Sequence, residues 1–191
     1  MRAPLRASAL LLLLGLAGRV SAALPAAAPP ALQLTREGGV FRLQASFDVA
    51  ASPSTAWAVL TDYEGMTRFV PTLRKSEVVS RSPNGAVITQ EGQVHLLLFS
   101  RRVPLTLKVT EQPPSRIDFQ AVGKSQFEEY DGTWTIQSSS GACRVSYQLF
   151  AEMKSALVPR GVARGILQDN IGRQLQLVQA EMERRAAADS E

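Results

Sequence analysis

Few side chains in this sequence of 191 residues are suited to chemistry at neutral pH. His95 is the only histidine and Cys143 the only cysteine. Those two counts remove an intrachain disulfide framework, Cys-rich zinc sites, His-pair metal motifs and any nucleophilic triad built on a second histidine. His95 shares its parity with Glu91 and Gln93, opposite Val94, Leu96 and Leu98, so it is expected to face away from the apolar side of its strand. Cys143 alternates in phase with Val145 and Tyr147 and has no neighbouring base. It reads as a small buried hydrophobe rather than an activated thiolate. Glu128, Glu129 and Asp131 surround Tyr130, and charges at a strand edge account for that run without a paired-carboxylate site.

Tyr130, Trp134 and Tyr147 carry more information. Each falls on the apolar parity of its strand, and the hydroxyl of a buried tyrosine needs a partner, from the protein or from the polar end of a ligand. Gly161 and Gly165 stand at i, i+4 near the start of the last helical pattern, where each glycine costs up to about 1 kcal/mol relative to alanine. They allow either close helix-to-sheet packing or room for a ligand beneath the helix.

The elements that must position these residues follow from periodicity. Phe41, Leu43, Ala45, Phe47 and Val49 alternate with polar residues in a strand starting near Gly38-Gly39. Ser52-Pro53 is an N-cap with proline at the first helical position, and Ala56, Trp57, Val59, Leu60 and Tyr63 supply the stripe of a short helix. Met66 to Val70 adds a second brief helix ended by Pro71. From Thr72 to Lys154 the period is two. Asn84-Gly85, Pro113-Pro114 and Ser140-Gly141 punctuate an antiparallel meander of six strands with one apolar face. Such a face must be covered. Val162, Ile166, Ile171, Leu175, Val178 and Met182 recur at helical spacing and supply the cover.

The start of the chain reads differently. Arg2 and Arg6 precede the apolar block Ala7 to Ala17, and Val20-Ser21-Ala22 is a small-residue cleavage site. This is the pattern of a signal peptide over 1–22, too short and wrongly flanked for a stable membrane anchor. Cleavage after Ala22 leaves 169 residues and, by removing Arg2, Arg6 and Arg19, lowers the formal charge from +4 to +1. The charge argument for a nucleic-acid partner disappears with it. Residues 23–37, with Pro25, Pro29 and Pro30, read as an Ala/Pro-rich linker, and 38–187 as the folded domain.

The order of one strand, two short helices, six strands and a long helix is that of an α+β helix-grip fold, a curved antiparallel sheet of about seven strands wrapped on a C-terminal helix. Phe47-Asp48-Val49-Ala50-Ala51-Ser52-Pro53, Ala56 to Glu64, Phe69-Val70-Pro71, Asp131-Gly132-Thr133-Trp134 and Val158-Pro159 resemble the polyketide cyclase/dehydrase-like proteins of the START/SRPBCC superfamily, which include coenzyme Q-binding proteins. The resemblance implies a cavity between sheet and helix for a lipid, isoprenoid quinone or polyaromatic molecule. On the sheet side Leu96, Leu98, Leu105, Tyr130, Trp134 and Tyr147 are the candidate ligand-binding residues. Trp57, Gly161, Gly165 and Ile166 are the candidates on the helices. No catalytic residue, metal or cofactor is assigned, and the expectation is a monomeric, secreted, periplasmic carrier. A polyketide cyclase or dehydratase, or a protein-interaction module with a filled core, are the alternatives.

Overall fold

A computed structural model describes residues 28–96, 99–139, 142–154 and 164–189. The element order is β1 (Ala31–Glu37), β2 (Val40–Val49), α1 (Pro53–Leu60), a 3₁₀ turn (Gly65–Arg68), β3 (Leu73–Ser82), β4 (Gly85–Leu96), β5 (Phe99–Gln112), β6 (Arg116–Ala121), β7 (Phe127–Ser139), β8 (Ala142–Met153) and α2 (Arg164–Ala188). The strands form one eight-stranded antiparallel sheet in the order β1-β2-β8-β7-β6-β5-β4-β3. This is the expected helix-grip architecture with one strand more than expected.

The extra strand corrects the linker assignment. Prolines end by position 30, and Ala31–Glu37 pairs with β2 from Ala31↔Ser46 to Glu37↔Val40. Leu34 is 2% exposed, so this strand contributes to the core. The reversal into β2 is tight because Gly38 adopts φ 60°, a left-handed conformation that glycine takes without a Cβ penalty. The folded domain therefore starts before Gly38.

Local chemistry sets the other boundaries. Ser52 caps α1: its hydroxyl accepts the Thr55 backbone N–H at 3.0 Å, and Pro53 opens the helix. Ala56, Val59 and Leu60 are its buried face. Ser82 and Gly85 pair across the Pro83-Asn84 turn, so the hairpin expected at Asn84-Gly85 is present, with Gly85 already in β4.

The inward residues of β2, Leu43, Ala45, Phe47 and Val49, are all buried, as are Cys143 and Val145 on β8. Opposite them α2 lays Leu175, Val178 and Met182 onto the sheet and α1. One polar group is built into this layer: the Gln179 amide, 4% exposed, donates to the Asp48 carbonyl at 2.9 Å and the Ala28 carbonyl at 3.2 Å. Burial of an amide is tolerable when its donors are used. Among the described residues, no helix is long and apolar enough to cross a membrane.

Candidate functional site

The curved sheet does not close on α2 along its whole length. A cavity of about 370 Å³ remains between the concave face and the helix, within the size range of small-molecule sites. Ile88 on β4, Leu105 and Leu107 on β5 and Phe119 on β6 form its apolar sheet wall. Ile171, Leu175 and Val178 of α2 face them. Met66 and Val70, from the segment between α1 and β3, and Leu73 at the start of β3 border it as well.

Tyr130 and Trp134 of β7 and Tyr147 of β8 meet at one wall. Trp134 and Tyr147 are register partners and stack with centroids 4.1 Å apart. Phe119 stacks on Tyr147 at 6.1 Å, and Phe127 holds Tyr130 from the other side at 4.9 Å. Gly132 makes this cluster possible. A Cβ there would run into the Phe119 ring and the Gln148 carbonyl, so the ring occupies space that any other residue would fill.

The ionisable groups among the described lining residues are three phenols. Burial, then the hydrogen bond and charge of Glu111, push the Tyr63 phenol well above its usual value, with Arg81 opposing in part. Its hydroxyl donates to Glu111 Oε1 at 2.7 Å, which ties the segment after α1 to β5. Burial raises Tyr130 to about 12, partly offset by a hydrogen bond from Tyr147. Tyr147 is raised further by burial and by Tyr130 beside it. All three phenols are protonated and neutral at physiological pH.

The placement of the expected residues is uneven. Leu105, Tyr130, Trp134 and Tyr147 line the cavity. Trp57 lies on α1 and packs half-buried against the core, outside the lining. Leu96 ends β4 with its side chain outside the described set, and Leu98 and Gly161 lie outside the described residues. Gly165 and Ile166 belong to the first turn of α2. Burial raises the Cys143 thiol to about 11, assisted by Asp48, in keeping with an inert core residue. Glu128, Glu129 and Asp131 stay off the cavity wall.

Sequence reasoning missed the polar lining, namely Thr72, Gln90, Gln93 and Gln174. Gln90 shares its parity with Ile88, and that was the available signal. Gln93 breaks the parity rule, beside a register irregularity between Leu73 and Lys75 on the neighbouring strand.

The family model described as polyketide cyclase/dehydrase and lipid transport matches residues 49–176, and the chain belongs to this family. No curated protein sequence matches the chain. Among solved structures, TTHA0849 from Thermus thermophilus is similar with a TM-score of 0.62 and 20% identity, over 78% of this chain and 99% of that one. The Zhui aromatase/cyclase from Streptomyces sp. R1128 is similar at TM-score 0.62 and 15% identity, covering 80% and 96%. Human STARD10 is similar at TM-score 0.60 and 15% identity, covering 79% and 72%. At these identities the likeness is one of fold, a START-like helix grip. Family and fold together support hydrophobic-ligand binding.

Proposed function

We propose that the protein binds and carries a hydrophobic or amphipathic small molecule in the cavity between the sheet and α2. The carrying observation is the cavity itself, about 370 Å³, with an apolar wall broken by an aromatic cluster and a few neutral polar groups. A ligand burying roughly 300 Å² of apolar surface would gain about 7 kcal/mol before the costs of association. An enzyme cyclising a bound substrate would need a general acid or base tuned near the working pH. The phenols of the described lining are held far from that range, which favours the carrier.

The test is mass spectrometry of small molecules that co-purify with the protein, with titration of the fluorescent probe N-phenylnaphthylamine. Saturable probe uptake and an apolar co-purifying compound are expected. No uptake of any apolar probe would overturn the reading.

Export completes the proposal. The apolar block and the Val20-Ser21-Ala22 site support removal of residues 1–22 and export of a mature periplasmic protein beginning at Ala23. Amino-terminal sequencing of the exported material checks it, and an intact Met1 end would refute it.

A further inference from the structure

Besides Thr72 before β3 and Gln174 on α2, the cavity wall carries Gln90, Gln93 and three tyrosine hydroxyls, and these are not equivalent. Gln90 donates its amide to Ser76 Oγ at 3.1 Å and Gln93 donates to Ser100 Oγ at 3.1 Å, so both side chains are tied to β3 or β5 neighbours. Tyr63 has spent its proton on Glu111. The Tyr130 and Tyr147 phenols both pack against Phe119 on the cavity wall, and neither hydroxyl has a hydrogen-bond partner elsewhere among the described residues. Two hydroxyls bring two donor hydrogens, and a bond between them uses at most one. One O–H therefore remains in a wall otherwise built of aromatic rings. Once a ligand shuts water out of the cavity, leaving such a donor unmet costs more than a typical hydrogen bond gains.

The rings are not free to turn this donor elsewhere. Trp134 and Phe119 stack on Tyr147, while Phe119 and Phe127 pack on Tyr130. No carboxylate, lysine or arginine is among the described lining residues. An ionised ligand head would thus lose its hydration without meeting an opposite charge, which costs several kcal/mol. The volume of about 370 Å³ holds roughly a dozen groups of methylene size, at the 30 Å³ or so of a liquid water each.

On the proposed function, we infer that the Tyr130–Tyr147 pair is the polar anchor of the site and selects an uncharged ligand. That ligand has a carbonyl or hydroxyl oxygen on an apolar body of about a dozen heavy atoms, and carboxylates of the same length are rejected. The oxygen accepts the free O–H of the pair while the body lies along β5 and α2.

The test displaces N-phenylnaphthylamine with three chains matched in length: methyl decyl ketone, dodecanol and dodecanoate, at about pH 8, where the acid is ionised. Ketone and alcohol are expected to compete at least tenfold better than dodecanoate. In a Tyr130→Phe, Tyr147→Phe double variant the ketone should weaken about fivefold to tenfold relative to the probe, each titrated directly on the variant. Equal competition by dodecanoate in the parent protein would overturn the anchor inference and leave the carrier reading standing, as would a ketone affinity unchanged in a folded double variant. Failure of the parent to take up the probe would overturn both. The parent ranking needs no variant, so misfolding of the double variant leaves the inference exposed to refutation.

Discussion

Trp134 and Tyr147 stand opposite each other on β7 and β8 as register partners, and their rings stack at 4.1 Å with planes 25° apart. Cross-strand aromatic pairs add about 0.5–1.5 kcal/mol beyond their buried area. Here the stack also aims a phenol. Replacing Trp134 with leucine keeps the position apolar but frees Tyr147, so a stability loss of about 1 to 2 kcal/mol is expected in urea unfolding. Ketone preference over dodecanoate should narrow in the same variant. A variant as stable and as selective as the parent would show that the stack positions nothing.

The cap of α1 makes a smaller, local prediction. Ser52 Oγ accepts from the Thr55 N–H at 3.0 Å, with the Ser54 and Thr55 hydroxyls beside it. Ser52→Ala removes the acceptor and should cost about 1 kcal/mol, read as a lower denaturant midpoint at unchanged m-value. Probe affinity should not move, because Ser52 is not part of the cavity wall.

Ion pairs fasten the end of α2 to the segment after α1. Arg185 donates to Glu181 at 2.8 Å and to Asp62 at 2.7 Å, and Arg184 donates to Glu181 at 2.7 Å. The Arg184 hydrogen bond, working with Arg185 against the pull of burial, lowers the Glu181 carboxyl to about 2. Burial also raises Asp62, but Arg185, the Gly65 amide and Arg68 outweigh it, so its value is lowered. A carboxyl depressed in the fold stabilises above its unfolded value and loses that contribution as the pH falls towards its folded value. For Glu181 the window runs from 4.5 down to about 2. Glu181→Gln should therefore be less stable than the parent by about 1 kcal/mol near neutral pH, since Arg184 is solvent-screened. The gap should close on acidification through that window. A gap independent of pH would mean that the pairs do not carry the effect.

Why some of this could be read in advance, and some not, comes down to range. Cap, hairpin and alternation are local, so α1, the Pro83-Asn84 turn and the inward faces of β5 and β8 follow from neighbours in sequence. Strand β1 was hidden by composition: three prolines just before Ala31 masked the alternation of Leu32 and Leu34. Tyr63 on Glu111 and Asp62 on Arg185 join residues far apart in the chain, and periodicity says nothing of such partners. Within the cavity, aromatic and leucine positions were legible because apolar parity marks the inner face. The glutamines were not, because a polar residue at an inward position reads as a break in the pattern.

Gly132 occupies the gap between Tyr130 and Trp134 on the inner face of β7, and the Phe119 ring fills that gap from β6. Gly132→Ala should overpack the sheet and displace Phe119, at a cost of about 1 to 3 kcal/mol. Because Phe119 also lines the cavity, probe affinity should fall with stability. Pairing the change with Phe119→Leu relieves the clash with the ring but not with the Gln148 backbone carbonyl, so at most part of the stability should return, and not the affinity. Full stability in the single variant would show that the close approach is unimportant.

Leu105 tests the cavity most directly. It sits half-buried on β5 between Val103 and Leu107, packed against the core on one side and lining the cavity on the other. In a filled core, Leu105→Trp would overpack and cost about 1 to 3 kcal/mol. Beside a cavity of about 370 Å³ the indole has room, and its added apolar contact offsets the strain. Stability is therefore expected to stay within about 1 kcal/mol of the parent. The ligand loses the space that the indole takes, so N-phenylnaphthylamine uptake should weaken at least tenfold, about 1.4 kcal/mol. Urea unfolding and probe titration on the same preparation separate the cases. Strong destabilisation would show a packed core, and a stable variant with undiminished uptake would place the binding site elsewhere.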